Sequence, residues 1–441
     1  MKTSTIVTFS STTFTGADIR NAIVTEDVDP LSITLPMGTL ELTLYSALAA
    51  FSIINPSGDY ALLENRQPLV VYEVVGPDTI FIGQFYLDTW ENVSDTLIKF
   101  NCIDLLGVLG SLTYYGGLWL TPTTVGALLD IILDEVSIPY ILDPDLAAVE
   151  LTGWIPICSY REAVQQVAFA AGAYVTCARQ PGLLKIGKTF LSGAISRGVR
   201  CGASNGLTGG SKIWTQCGQS RLHQQRFRQG TWGDLVADIV ITKAEKGANQ
   251  SLTLRTQVTD VEVTMHNLTA GAGSRELFNG SLDAGLHKIT FSQPMHSLTI
   301  TSTPPASATI STAYANYAIV SVDVGGSDVI LTGLVYEDSA KIASKYTTPA
   351  LPKVKENILA ITNATLVNAV NGDAVALRVW NYYQQRLLQK VKLYHPVAVT
   401  GNTVVIDTLY SQHIRGVVEK MTLDLAKGFT VQAEIVGILD T

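Results

Sequence analysis

One stretch of the sequence matches the phosphate-binding pattern of nucleotide-hydrolysing enzymes. It begins at Gly182 and, four residues later, reaches Gly187-Lys188-Thr189. Such a loop binds phosphate when it follows a buried strand and leads into a helix. The backbone N–H groups of the glycine-rich loop and of the helix N-terminus then point at the phosphate. Here residues 183–186 are apolar and have the pattern of a strand, and no helical periodicity follows. We therefore predict a hairpin in which Gly182 takes positive φ in a Pro-Gly turn, not an NTPase site.

Two other patterns suggest chemistry but lack the context it needs. Ser204 occupies a G-x-S-x-G sequence, formally a hydrolase nucleophile elbow, yet glycine-rich residues surround it where a sharp strand-to-helix turn is required. Two groups of acidic residues suggest calcium binding, but neither has the spacing of a calcium loop. These residues are Asp130, Asp134, Glu135, Asp143 and Asp145. We predict that they lie on a helix surface and in a turn.

Neither histidine nor cysteine is spaced for a metal site. The histidines are His223, His266, His287, His296, His395 and His413. None shows the i, i+4 spacing of a metalloprotease helix, although His287 and His296 flank a predicted strand and are candidates to lie close together. The cysteines are Cys102, Cys158, Cys177, Cys201 and Cys217. This odd set without a CxxC pair favours reduced thiols, and the sequence nominates no catalytic, cofactor-binding or metal-binding residue.

The charge balance argues against specific nucleic-acid binding and for contacts with protein. Of 441 residues, 15% are charged, and the net charge is −8. Binding to nucleic-acid phosphates needs clustered lysine and arginine, and the short basic group of Arg221, Arg226 and Arg228 also fits a solvated or inter-subunit face. An average soluble domain has about 25% charged residues. We therefore expect this chain to bury much of its surface against other protein.

No membrane insertion or secretion signal is expected. Residues 1–16 are rich in serine and threonine and lack the apolar core of a signal peptide. The longest nearly apolar run, residues 44–54, is too short to span a bilayer.

The first unit, residues 1–118, has the texture of an antiparallel β domain. Strand-length runs rich in β-branched and aromatic residues cover 68–75, 79–90 and 96–106, with turn residues between them. Alternation breaks near Gly83, where we predict a bulge. Three strands at this spacing indicate a sandwich or a barrel.

Residues 119–190 form a predicted small α/β domain with two helices and a hairpin. The first helix has a single apolar stripe made of Val125, Leu128, Leu129, Ile132 and Leu133. For the second helix, Ser159 and Glu162 have capping-box spacing and Gly172 is placed as a C-cap. Its predicted buried face consists of Val164, Val167, Ala168 and Ala171.

The rest of the chain divides into three predicted segments. Residues 191–235 are a glycine-rich, basic connector, for which a solvated linker and a loop ordered against a partner both fit. Residues 236–350 form a second β-rich domain, and residues 351–441 a C-terminal α/β segment that completes it. The latter has one helix, predicted over 373–388, whose inner face would be Val375, Val379, Tyr382, Tyr383 and Leu387.

Three segments, in order, resemble the baseplate or tail-tip hub proteins of long-tailed phages and related contractile injection particles. Residues 67–109 are similar to the first tail-tube-like barrel of such hubs. Residues 159–187 resemble the small helix-plus-hairpin domain between hub barrels, and residues 402–437 resemble their closing strands. The resemblance implies an α+β, mainly β fold: two tail-tube-like antiparallel β-barrels with the small α/β domain between them.

The same resemblance implies a structural role in a virion tail, assembled in the cytoplasm of the bacterial host. The expected assembly is a homotrimeric ring with pseudo-sixfold symmetry. Its expected partners are the tail tube or distal tail protein above and spike, tip or fibre proteins below, with the tape-measure protein as a further candidate. The family has no catalytic residues to carry over, so we expect neither an enzyme nor a cofactor.

Two alternatives remain open at this level. One is another tail component, such as a distal tail protein or a receptor-binding baseplate arm. A carbohydrate-binding domain would cluster its aromatics, whereas the tryptophans are spread singly: Trp90, Trp119, Trp154, Trp214, Trp232 and Trp380. The other alternative is a tail-associated cell-wall hydrolase, although the sequence has no zinc or cysteine–histidine motif.

Overall fold

The computed structural model describes most of the chain and shows a mainly β protein. It describes residues 3–9, 12–45, 51, 63–189, 239–326, 328–346, 356–394, 397–408, 412–426 and 428–440. The helices are α1 (Leu105–Gly110), α2 (Val125–Leu133), α3 (Pro144–Ala147), α4 (Tyr160–Ala171) and α5 (Gly372–Tyr383). In the described part of the chain, no helix is long and apolar enough to cross a bilayer.

Strands dominate because apolar and polar residues alternate along much of the chain. The strands up to the connector are β1 (Thr3–Phe9), β2 (Thr12–Phe14), β3 (Ile19–Asp27), β4 (Thr39–Tyr45), β5 (Pro68–Val75), β6 (Asp78–Ser94), β7 (Leu97–Ile103), β8 (Thr113–Tyr114), β9 (Gly117–Thr124), β10 (Tyr140–Leu142), β11 (Glu150–Ile155), β12 (Cys158–Ser159), β13 (Ala173–Thr176) and β14 (Leu184–Lys188). Those after it are β15 (Ile239–Ile241), β16 (Lys246–Leu254), β17 (Asp260–Met265), β18 (Leu268–Ser281), β19 (Gly285–Thr290), β20 (Met295–Ser302), β21 (Ser307–Ala313), β22 (Tyr317–Val324), β23 (Asp328–Asp338), β24 (Lys341–Tyr346), β25 (Ile358–Ile361), β26 (Leu387–Tyr394), β27 (Thr403–Asp407), β28 (His413–Asp424) and β29 (Thr430–Asp440).

One large sheet joins the two ends of the chain. Its main path is β16-β26-β29-β28-β3-β4-β7-β6-β5-β1-β2, and β27 and β15 branch from β28 to make 13 strands. The joint between its halves is the antiparallel pairing of β28 with β3, which places Lys420 opposite Asp27 and Asp424 opposite Ile23. Apolar side chains from both halves form one continuous core.

The large sheet is open. Its path ends at β2 and at β16, and none of the sheets in the described residues closes on itself. The mainly β, α+β class expected from the sequence is confirmed. The two closed barrels are not seen in the described residues and stay a prediction.

The helices pack with short sheets into a second core. α2 and α4 cover the sheet β10-β14-β13, and α5 covers the sheet β24-β17-β25. α4 begins as predicted: the Ser159 hydroxyl accepts from the N–H of Glu162, and the Glu162 carboxylate accepts from the N–H of Ser159. It ends at Gly172, whose φ of 81° is the left-handed conformation that glycine adopts at low cost. The predicted apolar stripe of α2 is also confirmed, because all five of its residues are buried.

A small β-sandwich is inserted between β17 and β24. Its sheets are β18-β23-β20 and β19-β22-β21, and they enclose a core of their own that includes Ile289, Val320 and Leu331. The predicted segment 236–350 thus supplies strands to the large sheet, to the α5-covered sheet and to this sandwich. The predicted domain boundaries remain predictions.

Three local predictions can be compared directly with the structure. The bulge near Gly83 is confirmed, since Ile82 has no partner where β6 pairs with β5. The strand predicted over 96–106 is too long, because Asp104 caps α1 by accepting from the N–H of Gly107 at 3.0 Å. The third prediction, the extent of α5, is wrong at its C-terminal end.

The helix predicted over 373–388 ends at Tyr383. Val375, Val379 and Tyr382 are buried as predicted and Tyr383 is half-buried, but Leu387 is not on the helix. Leu387 opens β26 and lies opposite Gly437 of β29. The apolar residues of 387–394 fit a strand period as well as a helix period, and pairing in the large sheet decides between them.

Candidate functional site

The two ends of the main path of the large sheet are unpaired edges, and the branch ends at β15, which in the described residues pairs only with β27. β2 pairs only with β1, and β16 only with β26, among the residues that the structure describes. Each edge therefore presents backbone N–H and C=O groups that another strand can pair with. The edges belong to opposite ends of the sheet and differ in their side chains.

The β16 edge carries an exposed apolar residue beside a polar cleft. Leu254 on β16 is 65% exposed, while Val240 on β15, at the end of the branch through β27, is 62% exposed. A cleft of about 600 Å³ alongside is lined by Lys246, Asp407 and His413. The Lys246 ammonium donates to the Asp407 carbonyl at 2.8 Å, and burial lowers the pKa of Lys246. This edge is therefore suited to contact with protein that covers Leu254.

The β2 edge is polar. Thr12 and Thr13 are exposed, whereas Phe14 is buried with its ring 6.0 Å from that of Phe51. The edge strand is thus anchored through Phe14, and its free side offers hydroxyl and backbone groups to a neighbour.

The outer face of the large sheet carries charges that are paired across strands. Lys390, Glu434, Lys420 and Asp27 lie opposite one another on four successive strands, so that signs alternate along the row. Lys390 Nζ is 2.6 Å from Glu434 Oε1, and Lys420 Nζ is 3.3 Å from Asp27 Oδ2. Such a row presents no concentration of positive charge that would hold nucleic-acid phosphates.

The phosphate-loop pattern lies in a hairpin, as predicted. Gly182 has φ of 65°, and the residues after it form β14, which pairs with β13 and β10. Lys188 is at the end of that strand, where its ammonium lies 2.9 Å from the Asp145 carboxylate. Thr189 donates its hydroxyl to the Pro30 carbonyl at 2.5 Å. The pattern therefore spans an apolar strand, and its polar residues Lys188 and Thr189 form contacts within the fold.

The acidic residues act as caps and surface partners. Asp143 caps α3 by accepting from the N–H of Asp145 at 3.0 Å. Asp130 accepts from the Tyr140 hydroxyl at 2.5 Å, while Asp134 and Glu135 begin a short 3-10 turn after α2. No group of three or more potential metal ligands occurs in the described ranges.

The described histidines lie in separate environments. His287 Nε2 is 2.7 Å from the Asp283 carbonyl, and His296 Nε2 is 3.1 Å from the Gly271 carbonyl. They belong to different sheets of the sandwich, so the structure does not bring them together in one site. His413 pairs with Asp407 at 2.7 Å in the cleft along β16.

Several sequence predictions lie outside the described residues. They concern the connector 191–235 and the residues Cys201, Ser204, Trp214, Cys217, Arg221, His223, Arg226, Arg228, Trp232 and His395.

A cleft between α4 and β25 contains a thiol and a histidine that the sequence did not bring together. It measures about 890 Å³, and Cys158 and His266 both line it. His266 Nδ1 is 2.6 Å from Asp338 Oδ2, and its Nε2 is 3.2 Å from the Thr362 carbonyl. Burial raises the pKa of Cys158 to about 12, so the thiol stays protonated at neutral pH. With both ring nitrogens engaged and the thiol protonated, this arrangement supplies no activated nucleophile.

Glu419 is a buried carboxyl beside the joint of the large sheet. Its backbone carbonyl accepts from the N–H of Val28 at 2.9 Å. Its carboxylate accepts from the Tyr382 hydroxyl, and Arg255 Nη1 lies 3.6 Å away. Burial raises the pKa of Glu419 to about 7, although Tyr382 and Arg255 act in the opposite direction. Ionising this group at neutral pH therefore weakens the region where the two halves meet.

We expect Glu419→Gln to remove a pH dependence of stability near neutrality. A carboxyl with a raised pKa stabilises the fold fully below its unfolded value of 4.5, and that contribution is lost as the pH rises through about 7. Between about pH 5 and about pH 8, the parent should lose roughly 2 kcal/mol of unfolding free energy relative to the variant. Denaturant unfolding across this range measures the difference. Glu91→Gln, at an exposed carboxyl on β6, is the control, and parallel pH profiles for parent and Glu419→Gln would contradict the expectation.

Comparison with known proteins finds similarity at the level of fold. No family model matches the sequence, and no curated protein matches it. The chain is similar to the 43 kDa tail protein of prophage MuSo2 from Shewanella oneidensis, with 10% identity and a TM-score of 0.50 over 98% of each chain. It is also similar to the tail protein from Neisseria meningitidis MC58, with 8% identity and a TM-score of 0.50 over 99% of this chain and 97% of that one. The chain thus shares its fold, over nearly its whole length, with two tail proteins.

Proposed function

We propose that this chain is a structural component of a phage-type tail, and that it serves as a hub in a trimeric ring. The ring would join the hexameric tail tube or distal tail protein to the spike, tip or fibre below it, in a virion tail built in the host cytoplasm. Full-length similarity of fold to two tail proteins supports the tail assignment. The observation that carries the ring is the open sheet with two different edges.

Two unlike edges on one sheet favour head-to-tail association. If the β16 edge of one copy pairs with the β2 edge of the next, the contact is heterologous, and such contacts close into a ring when the rotation between copies allows. Each copy contributes two sheet halves joined by β28 and β3. Three copies would therefore present six halves, which suits the junction between a sixfold tube and a threefold tip.

The side chains at the edges fit burial in such a ring. Leu254 is largely exposed at the β16 edge of the single chain, and covering it would add roughly 1.5–3 kcal/mol to the contact. The paired charges across the sheet, such as Lys420 with Asp27, would give a bore to which nucleic acid does not adhere.

The proposal is tested by the oligomeric state of the purified full chain. We expect mass photometry to show three copies per particle and cryo-EM to show a closed ring. Leu254→Lys should raise the concentration at which half of the chains are assembled by about tenfold or more, because a charge replaces a buried apolar contact. Ile342→Lys is the matched control, since Ile342 is 62% exposed, close to the 65% of Leu254, but lies on β24, away from both edges.

The competing outcomes are distinct. A chain that stays monomeric at all concentrations would overturn the ring. A particle of six copies would contradict the hub assignment and would instead indicate a component at another level of the tail, such as a distal tail protein. The proposal includes no catalysis, and clearing of bacterial cell walls in a zymogram would contradict that part of it.

A further inference from the structure

A groove runs between α4 and the edge of β25. β25 pairs in parallel with β17 on one side, and no strand in the described part of the chain pairs with its other side. The groove is the cleft of about 890 Å³ that also contains Cys158, and every residue from Leu359 to Thr365 lines it. Successive side chains of a strand point to opposite faces. A cleft lined by consecutive residues of β25 therefore follows the strand edge, where backbone groups are accessible.

The wall opposite β25 is one side of α4. It comprises Arg161, Glu162, Gln165, Gln166 and Phe169, which share a helix face at this spacing. Gln166 joins the two walls at one end, since its amide donates to the Asn363 carbonyl at 2.7 Å and accepts from the N–H of Thr365 at 3.1 Å. Arg161, five residues earlier on α4, also lines the groove and lies roughly 7.5 Å away along the helix axis.

The remaining lining is largely apolar. Its apolar residues include Ile33, Leu35, Trp154, Ile157, Leu359 and Ile361. A second cleft of about 520 Å³ continues the groove toward the sandwich, and the two share Trp154, His266 and Thr365. The groove is thus lined by both apolar and polar side chains, with an unpaired strand edge along one side.

One charged group in the groove has no close ion pair. Arg161 forms no salt bridge or hydrogen bond with any residue that the structure describes, and its guanidinium lies beside Gly110. Hydrogen bonds from the N–H and the hydroxyl of Ser159, at 2.8 Å and 2.9 Å, lower the pKa of Glu162, and the charge of Arg161 adds a smaller effect in the same direction. A guanidinium in a partly apolar cleft is best satisfied by a carboxylate, which it can bind through two hydrogen bonds.

We propose that this groove binds an extended peptide segment of a partner protein, which adds as a strand to β25 and pairs a carboxylate with Arg161. Main-chain hydrogen bonds to the free edge supply affinity in this mode of recognition, and pockets for alternate side chains supply selectivity. The segment is apolar at alternate positions, to match the lining around Trp154 and Leu359. Its acidic group lies at the end away from Gln166. This inference concerns a surface separate from the edges that would close the ring and does not depend on the proposed function.

The test selects short random peptides on the full chain and then examines the enriched sequence in detail. We expect enrichment of peptides with alternating apolar residues and a carboxylate at one end. The enriched peptide is labelled with fluorescein and made in three forms: unmodified, with the carboxylate replaced by an amide, and with alternate backbone nitrogens methylated. Fluorescence anisotropy should show that each modification weakens binding by about tenfold or more. Hydrogen exchange should show slower exchange of amides within 358–362 when the unmodified peptide is bound.

Arg161→Gln separates the proposed ion pair from a general loss of structure. In this variant we expect the unmodified peptide to bind about as weakly as the amide form binds the parent, and the two forms to bind equally. Arg20→Gln, at an exposed arginine on β3 that lies outside the groove, should leave both affinities unchanged. Failure to enrich extended peptides, or equal binding to parent and Arg161→Gln, would overturn the proposal. Dimers of the chain that dissociate when the peptide is added would also overturn it and assign the groove to a second copy.

Discussion

Replacing Asn316 with leucine is expected to lower the free energy of unfolding by about 3–4 kcal/mol and to loosen the inserted sandwich. The Asn316 side chain is 1% exposed and lies where the sandwich meets the α/β layer. Its amide donates to the carbonyls of Tyr115 at 3.0 Å and Ile155 at 2.8 Å, and its oxygen accepts from Trp154 Nε1 at 2.5 Å. Leucine has a similar size but leaves these three groups buried without partners, and an unpaired buried group costs about 1–3 kcal/mol.

Two measurements separate loss of this anchor from loss of the sandwich fold. The N–H of Phe291 donates to the Asn316 carbonyl at 2.7 Å, so hydrogen exchange at Phe291 should accelerate strongly in Asn316→Leu. Amides at the centre of the sandwich core, such as Val320, should change less. Asn279→Leu is the control, because Asn279 is on β18 and its amide bonds only the exposed Glu276 carboxylate; it should shift stability by less than about 0.5 kcal/mol. If both variants behave alike in denaturant, Asn316 is not the anchor.

The parts of the fold that could be predicted from the sequence are those encoded by neighbouring residues. The capping box of α4 needs only Ser159 and Glu162, which are one helical turn apart, and the hairpin turn needs only the φ freedom of Gly182. The bulge at Ile82 shows as a break in alternation. Each of these signals lies within a few residues, and the structure confirms each of them.

The arrangement of the strands could not be predicted, because it depends on residues far apart in the chain. Nothing local indicates that β28 pairs with β3, since both have the alternation of any half-buried strand. The same holds for Leu387, whose position fits both a helix period and a strand period. Only its pairing with β29 shows that it belongs to a strand. The insertion of the sandwich between β17 and β24 is likewise a matter of tertiary pairing.

The candidate sites could not be predicted from the sequence for the same reason. Arg161 is one arginine on an amphipathic helix, and only the packing of α4 beside β25 reveals that it lines a groove. Leu254 and Val240 have the same apolar character as core residues, and only the sheet order shows that they are at an edge. The functions proposed for this chain depend on unpaired edges, which have no local sequence pattern.

Breaking the ion pair between Glu26 and Arg179 is expected to cost about 3–5 kcal/mol at neutral pH. Glu26 is on β3 of the large sheet and Arg179 follows β13, so the pair connects the sheet to the α/β layer. Arg179 Nε is 2.6 Å from Glu26 Oε1, and the two side chains are only 14% and 3% exposed. Burial raises the pKa of Glu26, and Arg179 only partly opposes that rise. Arg179→Met keeps the apolar stem but leaves the carboxylate buried without its cation.

The double variant Glu26→Leu/Arg179→Met shows whether this cost belongs to the lone charge. Without either charge, stability should return to within about 1 kcal/mol of the parent, because the pair itself pays a large desolvation penalty. The pH dependence gives an independent check. A carboxyl with a raised pKa stabilises the fold below its unfolded value of 4.5, so the deficit of Arg179→Met should shrink as the pH falls toward that value. Denaturant unfolding of parent, single and double variants at both pH values measures this. A double variant as unstable as Arg179→Met would show instead that the arginine stem, and not the ion pair, holds the layer against the sheet.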